Sequence, residues 1–327
     1  MAPKITDPIP NELKGEFANL NLALDEDLPA KVLDRNLLIA TWNIRAFGNM
    51  TKSWRAGPDD SPKRDIHAVR EIAEIISRFH IIAIQEARAN LRALRHMLKV
   101  LGPHWGVILT DVTKGKRGNY ERMAFVFDSR VVQLSGLACE LVVPPERVED
   151  KEIKEDALRT QFARTPYAVG FKVHGKTFIL VTMHAYYGRG TTERRRELRA
   201  IAEWMADWAN DIYSYGQNLI LLGDFNIDRR GDQLFDAFTS TGLCPPEELN
   251  AVPRTIFSDA SDTGKFYDQI AWFSGEGGVP ALTMKYCNAG YFNFTKVALK
   301  SLNLTKQALS WRISDHYPLW VEFSLRD

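Results

Sequence analysis

Polar side chains that bind metal ions or move protons follow several short apolar runs of the sequence. The first run ends at Asn43, the second at Glu86, the third at His184, and the fourth at Asp224 and Asn226. Apolar runs of this length are typical of buried strands, whose ends hold side chains in fixed positions. One carboxylate at a strand end is normally a turn residue or a helix cap. Several groups of similar chemistry at successive strand ends indicate a common site instead.

Asp315 and His316 add to this set at the start of the last predicted strand. The oxygen donors of the whole set suit a hard cation such as Mg²⁺, Mn²⁺ or Ca²⁺ rather than zinc. The two histidines supply groups that exchange protons near neutral pH. A cation with two proton-transfer groups provides what hydrolysis of a phosphate diester requires: charge neutralisation at phosphorus, activation of water and protonation of the departing oxygen.

The elements that position these residues are predicted from apolar periodicity. Helices are predicted over 62–79, 90–101 and 192–213, with Ser61 as the N-cap of the first. Residues 291–311 lack a clean period and are predicted to form a loop with a helical turn. Strands are predicted over 37–42, 81–84, 105–110, 122–127, 131–143, 167–174, 177–183, 219–222, 268–273, 281–287 and 317–324.

The predicted domain organisation is simple, because the sequence has no internal repeat and no convincing interdomain linker. Residues 1–35 are polar and interrupted by proline, and we expect them to form an N-terminal arm or tail. Residues 36–327 are predicted to form a single catalytic domain, which is a reasonable length for one large α/β unit.

The composition limits the classes of protein that fit. The 327 residues include 42 Lys and Arg against 41 Asp and Glu, a formal net charge of +1. Near-neutrality argues against a protein that coats DNA by bulk charge, but a local basic stripe remains compatible with a nucleic-acid enzyme. Three cysteines are too few and too scattered for a disulfide framework or a zinc site. With no secretory apolar segment and no run near the ~20 residues of a membrane span, a cytoplasmic protein is predicted.

Eight short motifs occur in one order along nearly the whole chain. They are Thr41-Trp42-Asn43, Gln85-Glu86-Ala87-Arg88, Tyr120-Glu121-Arg122, Arg164-Thr165-Pro166, Thr182-Met183-His184, Gly223-Asp224-Phe225-Asn226, Tyr267-Asp268-Gln269-Ile270 and Ser314-Asp315-His316-Tyr317-Pro318. In these motifs the chain resembles the endonuclease/exonuclease/phosphatase superfamily, and within it the deoxyribonuclease I-like branch. The resemblance implies an α/β fold: a four-layer sandwich with two packed central mixed β-sheets flanked by helices.

The resemblance also implies a metal site and a phosphate-positioning site. Glu86 would be the principal ligand of a divalent cation, Mg²⁺ with Mn²⁺ or Ca²⁺ as substitutes, assisted by Asn43 and Asp315. Asp224 and Asn226 would position the scissile phosphate, the nucleophilic water or a second ion.

By the same resemblance, His184 and His316 would be the acid–base pair of the reaction. Glu121 would orient His184, and Asp268 would orient His316. An acid–base histidine needs such a partner, because a carboxylate on the far ring nitrogen fixes the tautomer of the imidazole and raises its basicity.

Three further residues match positions that contact the substrate in the family. Arg88 and Arg164 would bind phosphate oxygens, for which the planar guanidinium fork is well suited. Tyr120 is predicted with them at the phosphate, although it departs from deoxyribonuclease I by directly preceding Glu121 instead of standing two residues before the glutamate.

Three functions remain open from the sequence. The favoured one is a nuclease that hydrolyses DNA, and RNA as an alternative polymer, without an obligate protein partner. The second is a phosphatase or lipid phosphodiesterase acting on an inositol phosphate or a sphingomyelin-like substrate. The third is a non-catalytic binding protein that retains the fold. The early glutamate, Glu121, fits the deoxyribonuclease-like branch better than the phosphatases, and the intact motifs argue against loss of catalysis.

Overall fold

A computed structural model of the protein describes residues 3–142, 162–188, 190–211, 218–258, 264–275 and 278–326. Two six-stranded sheets form its centre, and helices flank them on the outside. Each sheet combines one parallel strand pair with antiparallel pairs, so both are mixed. The predicted α/β class with two central mixed sheets is therefore confirmed.

The first sheet carries the early motifs. Its strand order is β11-β12-β1-β2-β4-β3, and only the neighbours β1 and β2 run parallel. The strands are β1 (Asn36–Phe47), β2 (Ile81–Arg88), β3 (Trp105–Leu109), β4 (Glu121–Asp128), β11 (Lys285–Tyr291) and β12 (Leu319–Ser324).

The second sheet carries the later motifs. Its order is β5-β6-β7-β8-β10-β9, with β7 and β8 parallel. The strands are β5 (Gln133–Glu140), β6 (Tyr167–Val173), β7 (Lys176–His184), β8 (Leu219–Asp224), β9 (Leu243–Cys244) and β10 (Asp268–Phe273).

Side-chain alternation along the strands explains how the layers pack. In β1, Leu37 and Ile39 join a core shared with the second sheet, whereas Leu38 and Ala40 face the helices on the other side. Aromatic rings such as Phe171 fill the space between the sheets. Because successive residues of a strand point to opposite faces, continuous apolar runs supply both cores at once.

Helices cover both outer faces. Over the first sheet lie α1 (Asn11–Asp27), α2 (Ile66–Ser77) and α3 (Arg92–Leu101), and over the second lie α5 (Thr191–Asn210) and α6 (Gln233–Thr239). Two short helices, α4 (Gly115–Gly118) and α7 (Lys306–Ser310), belong to loops. Among the described helices, none has the length and apolar character that crossing a membrane requires.

Several predicted boundaries differ from the structure. The helix predicted from residue 62 begins at Ile66, and its N-cap is Asp65, whose side chain accepts from the Ala68 N–H. Ser61 was the wrong choice of cap. The last strand before 291 begins at Lys285, four residues after its predicted start. Positions 143 and 212–213, at the ends of a predicted strand and helix, lie outside the described residues.

The N-terminal segment contains a helix that the sequence analysis did not predict. Along α1, Leu13, Phe17, Leu20 and Leu24 are buried. Their spacing of four, three and four residues is that of one helical face. Leu20 and Leu24 join the core beneath α2, so this part of residues 1–35 packs on the domain.

Candidate active site

The carboxyl ends of the two parallel strand pairs meet at one edge of the stacked sheets. In the first sheet Asn43 lies beside Gln85, and in the second His184 lies beside Asp224. Gln85 also joins the sheets, because its Nε2 donates to Thr182 Oγ1 at 2.9 Å. Buried polar links of this kind hold two elements in one register, since breaking them leaves unpaired groups in the core.

Asp224 lies at the centre of the site. One of its oxygens, Oδ2, is 3.5 Å from His184 Nε2 and 3.9 Å from His316 Nε2. The same oxygen accepts a hydrogen bond of 2.9 Å from Asn43 Nδ2. Burial raises the pKa of Asp224, but attraction to the two imidazoles and the hydrogen bond from Asn43 outweigh it, so the pKa is lowered overall. The carboxylate is therefore charged where both imidazoles converge.

Glu121 supports the first of these imidazoles. Its Oε2 lies 2.9 Å from His184 Nδ1 and 2.7 Å from Arg164 Nε, and its Oε1 lies 3.4 Å from Arg88 Nη1. Burial raises the pKa of Glu121, but the hydrogen bond to His184 and the two guanidinium groups lower it to about 2. Both predicted phosphate-binding arginines are thus engaged with this carboxylate.

Asp268 supports the second imidazole. His316 Nδ1 lies 2.6 Å from Asp268 Oδ2, and the ring of Tyr267 stacks on the imidazole with centroids 5.8 Å apart. Burial alone would lower the pKa of His316. The carboxylates of Asp268, Asp224 and Asp315 outweigh burial and raise this pKa well above its ordinary value. Both histidines therefore have a carboxylate on Nδ1 and direct Nε2 toward Asp224.

Glu86 and Asn43 form the part of the site that could hold a metal ion. Asn43 Nδ2 is 3.3 Å from Glu86 Oε1, while Glu86 Oε2 accepts from Ala46 N at 2.8 Å and from Arg88 Nη2 at 3.1 Å. Asn43 Oδ1 is buried without a hydrogen-bond partner. Such an atom is costly unless it binds something, and a hard cation is a suitable partner for an amide oxygen. The donor set therefore fits a divalent ion.

The backbone conformation of Glu86 also indicates a functional role for this residue. Its φ is +60°, in the left-handed region that non-glycine residues seldom occupy. Strained backbone of this kind persists where the surrounding structure enforces it and is concentrated at functional sites.

Asp315, the third predicted metal ligand, has Arg45 as its ion-pair partner. Its Oδ2 is 3.4 Å from Arg45 Nη1, and its main-chain oxygen accepts from Ile256 N at 2.9 Å. The carboxylate is close enough to His316 to raise the pKa of that imidazole. Its predicted role as a metal ligand would require it to share its charge between the ion and Arg45.

Among the predicted site residues, Asn226 supports a turn and Tyr120 has an exposed side chain. Asn226 donates from its backbone N to Asp224 Oδ1 at 3.0 Å and from Nδ2 to Ala185 O at 2.7 Å, so it holds the turn after β8 in place. The side chain of Tyr120 is exposed beside Glu121. Both residues have positive φ, +50° and +55° respectively.

Residues that the sequence analysis did not single out complete the support of the site. Arg64 is buried and donates to the main-chain oxygens of Arg45 and Ala46 on one side and to those of Arg312 and Ile313 on the other. It thus ties the end of β1 to the loop that carries His316. No local pattern signals this role, because all of its partners are carbonyl groups distant in sequence.

Ser314 and Glu197 have comparable positioning roles. Ser314 Oγ donates to Asn43 O at 2.6 Å and accepts from His316 N at 3.0 Å. Glu197 in α5 accepts from the backbone of Tyr186, two residues after His184. The serine lies within a motif and could have been found from it, whereas the glutamate could not.

The fold and the paired imidazole–carboxylate groups define the class of protein. The family described as the Endonuclease/Exonuclease/phosphatase family matches residues 40–294, well over half of the chain. The chain belongs to this family, and it is accordingly a hydrolase of phosphate esters. No curated protein gives a sequence match.

Solved structures share the fold at low sequence identity. A mannosyl-6-phosphatase from Bacteroides thetaiotaomicron is 19% identical, with a TM-score of 0.56 over 88% of this chain and 99% of that one. The human Nocturnin catalytic domain is 13% identical, with a TM-score of 0.56 over 90% and 95% of the two chains. D. rerio TDP2 complexed with a single-strand DNA product is 12% identical, with a TM-score of 0.53 over 88% and 98%.

Proposed function

We propose that the protein is a divalent-metal-dependent nuclease that hydrolyses phosphodiester bonds of DNA, with His184 and His316 as its acid–base pair. The observation that carries this proposal is the convergence of both imidazoles on one oxygen of Asp224, at 3.5 and 3.9 Å, while a carboxylate supports each ring from behind. Two oriented proton-transfer groups that face one position suit displacement at phosphorus, in which one group activates water and the other protonates the departing oxygen.

Each imidazole has a defined part in this proposal. One Nε2 accepts a proton from the attacking water, and the other donates a proton to the departing oxygen. Glu121 and Asp268 hold the two Nδ1 atoms, so each ring presents its Nε2 to the substrate. Asp224, held by Asn43, keeps negative charge between the rings and orients the water.

Glu86 and Asn43 are the proposed metal ligands, with Asp315 as a third. A bound Mg²⁺ or Mn²⁺ would neutralise charge on the phosphate and on the leaving oxygen. Arg88 and Arg164 are the proposed phosphate contacts. Each must divide its guanidinium between Glu121 and a phosphate oxygen, and five N–H donors per guanidinium allow this.

The experiment that tests the proposal compares purified protein on supercoiled plasmid, bis-p-nitrophenyl phosphate and inositol phosphates, with Mg²⁺, with Mn²⁺ and with EDTA. We expect metal-dependent cleavage of the plasmid and the diester. Release of phosphate from inositol phosphates alone would assign the site to a phosphatase, and activity in EDTA would refute the metal ligands. Inactivity on all three substrates would favour a binding protein.

Salt provides an independent check on DNA as the substrate. Contacts to DNA phosphates release counterions, so plasmid cleavage should fall steeply between 50 and 200 mM salt. Hydrolysis of bis-p-nitrophenyl phosphate is the control, because it has one phosphate and should change little. Equal salt dependence of the two reactions would contradict a polyanionic substrate.

A further inference from the structure

Several exposed aromatic side chains belong to chain segments that carry, or pair with, residues of the candidate active site. Within the described residues, four aromatic side chains are exposed: Tyr120 (58%), Tyr187 (53%), Phe257 (49%) and Trp311 (48%). We call these four the aromatic rim. A ring removes a large apolar area from water when it is covered, so exposed rings next to a candidate site are available to stack with a ligand.

Trp311 is connected to the metal side of the site through Arg45. The guanidinium of Arg45 lies 3.7 Å from the centroid of the indole, and its Nη1 lies 3.4 Å from Asp315 Oδ2. Arg45 is further fixed by a hydrogen bond of 2.7 Å to Ser310 Oγ. The indole is therefore held next to a predicted metal ligand, with a cation on one face.

Tyr187 is connected to the opposite side through Tyr267. Its ring packs edge-on against Tyr267 at 6.2 Å, and Tyr267 stacks on His316. The guanidinium of Arg194 lies 5.0 Å from the Tyr187 centroid, and Lys265 Nζ lies 5.8 Å from the Tyr267 centroid. Aromatic rings with cations beside them thus continue outward from this imidazole.

The other two members of the rim are also neighbours of proposed catalytic or metal-binding residues, one in sequence and one through main-chain hydrogen bonds. Tyr120 immediately precedes Glu121. Phe257 follows Ile256, whose N–H donates to the main-chain oxygen of Asp315, and Thr255 pairs with His316. Each rim residue is therefore next in sequence to such a group, or is linked to one through the contacts of its ring or its main chain.

We infer that the aromatic rim is a set of stacking platforms for unpaired bases, so that the preferred substrate is a single-stranded nucleic acid. This inference rests on the proposed function and refines it. Proteins that bind single strands combine aromatic rings, on which bases stack, with cations that follow the phosphates. Trp311 with Arg45 and Tyr187 with Arg194 have this composition. A base in a duplex is already stacked and cannot use such a platform.

A lipid surface explains the rim less well. Insertion into a membrane interface requires a continuous apolar face that carries its basic groups around it. Here charged groups lie against the rings: Arg45 covers Trp311, and Asp228 pairs with both Arg194 near Tyr187 and Lys265 near Tyr267. The rings are therefore separate platforms.

The test compares hydrolysis of a twelve-residue oligothymidylate with that of an abasic oligomer of the same length, which keeps the phosphodiesters and lacks the bases. We expect Trp311→Ala and Tyr187→Ala each to lower kcat/KM on oligothymidylate about 5- to 100-fold, because one stacked base contributes ~1–3 kcal/mol. Hydrolysis of the abasic oligomer should stay within about twofold. Trp311→Phe and Tyr187→Phe keep a ring and should retain most of the activity.

Leu134→Ala is the matched control, since Leu134 is similarly exposed (47%) but lies on the edge strand β5. It should change neither reaction. Equal losses on both oligomers in the alanine variants would mean that the rim only supports the site, and no loss on either would mean that bases do not stack there. Either result overturns the inference, as does equal hydrolysis of a duplex. Oligouridylate, run in parallel, distinguishes RNA from DNA.

Binding measurements separate failure of this inference from failure of the proposed function. Fluorescence anisotropy in EDTA should show tighter binding of oligothymidylate than of the abasic oligomer, with Trp311→Ala removing the difference, even if no diester is hydrolysed. Sedimentation with phosphatidylcholine–phosphatidylserine vesicles is the last comparison. Vesicle binding that Trp311→Ala abolishes, without an effect on oligothymidylate, would assign the rim to a membrane surface.

Discussion

Asp224 is the residue on which the proposed chemistry depends, because one of its oxygens faces the Nε2 atoms of both His184 and His316. A buried carboxylate is expensive unless it is paired, and here two imidazoles and Asn43 stabilise its charged form. The three groups thus depend on one another. Replacing one of the histidines removes a proton-transfer group but leaves Asp224 with the other imidazole within 4 Å and with the hydrogen bond from Asn43.

We therefore expect His184→Ala and His316→Ala each to lower kcat by a factor on the order of 10² or more. The thermal midpoint should change by only a few degrees, because both side chains lie at the edge of the sheets. His104→Ala is the control, since His104 is exposed and uses only its main chain in the contacts described. Full activity in either site variant would remove that histidine from the reaction.

Asn43 gives a prediction about the metal. Its Oδ1 is buried without a partner, and its Nδ2 already contacts Glu86 and Asp224. We expect Asn43→Ala to raise the Mg²⁺ concentration needed for half-maximal activity about 10- to 100-fold, the range found when the supporting shell of a metal site is altered. Isothermal titration with Mn²⁺ would measure the same loss as weaker binding. An unchanged metal requirement would exclude Asn43 as a ligand.

At the scale of single elements, the start of α2 shows how a helix end is fixed to the site. Asp65 is fully buried and accepts from Ala68 N, from Ala56 N and from Arg312 Nη1. It therefore both caps the helix and binds the segment that leads to His316. Ser61 is exposed and lies before the helix.

Asp65→Ala should accordingly lower the free energy of unfolding by about 2 kcal/mol, the upper end of the range for a lost N-cap. The loss should be at this end because the partly buried Arg312 guanidinium also loses its carboxylate partner. Ser61→Ala should change stability by less than about 0.5 kcal/mol. Urea unfolding of both variants would decide between the two caps, and a larger cost at Ser61 would contradict the structure.

The strand β2 begins next to His80, which predicts a pH dependence of stability. Leu38 N–H donates to His80 Nδ1 at 2.9 Å, so the neutral ring is the form that fits. Burial, with the nearby Lys31 ammonium, lowers the pKa of His80 to about 3. In the unfolded chain the imidazole binds a proton below about pH 6.5, whereas in the folded chain it stays neutral down to about pH 3. The contribution of this group to the unfolding free energy is therefore complete above pH 6.5 and is lost as the pH decreases toward 3.

Between pH 8 and pH 5 we expect the wild type to lose about 2 kcal/mol more unfolding free energy than His80→Gln, in which this group does not titrate. Urea unfolding at the two pH values measures the difference. His104→Gln should follow the wild type, because His104 is exposed and only its main chain makes the contacts described. An equal loss of unfolding free energy between the two pH values in the wild type and in His80→Gln would show that His80 is not held neutral.

At the scale of the whole molecule, α1 adds apolar side chains to the core that covers the first sheet. Leu20 is completely buried beneath α2, whereas Leu22, two residues along the same helix, is 59% exposed. The segment predicted as an arm or tail therefore contributes apolar surface to the core around the first sheet.

Leu20→Ala should lower the free energy of unfolding by about 2–5 kcal/mol, the range for deleting a buried leucine side chain. Leu22→Ala should cost less than about 0.5 kcal/mol, because its side chain stays in water in both states. Thermal unfolding of the two variants compares them directly. Equal, small effects would mean that α1 is detached in solution.

Local patterns were sufficient for most of the elements and for the family. Apolar runs predicted the long central strands, whereas the two mixed sheets with helices outside were implied by the resemblance to the family. The exceptions have local causes. The unpredicted helix α6 is only Gln233–Thr239, too short to establish a period, and the segment before Lys285 has apolar residues without strand pairing.

The sequence by itself determined which chemical groups the protein has and that several of them, such as His184 and Asp224, stand at the ends of strands. Only the tertiary structure decided that Asp224 Oδ2 faces two imidazoles, that Asp315 pairs with Arg45, and that Trp311 and Tyr187 are exposed with cations beside their rings. The physical reason is that side-chain periodicity gives the face on which a residue lies, whereas stacking of the sheets determines which faces meet. The contacts of Asp224 and Asp315 join positions between 40 and 270 residues apart, and no local pattern contains them.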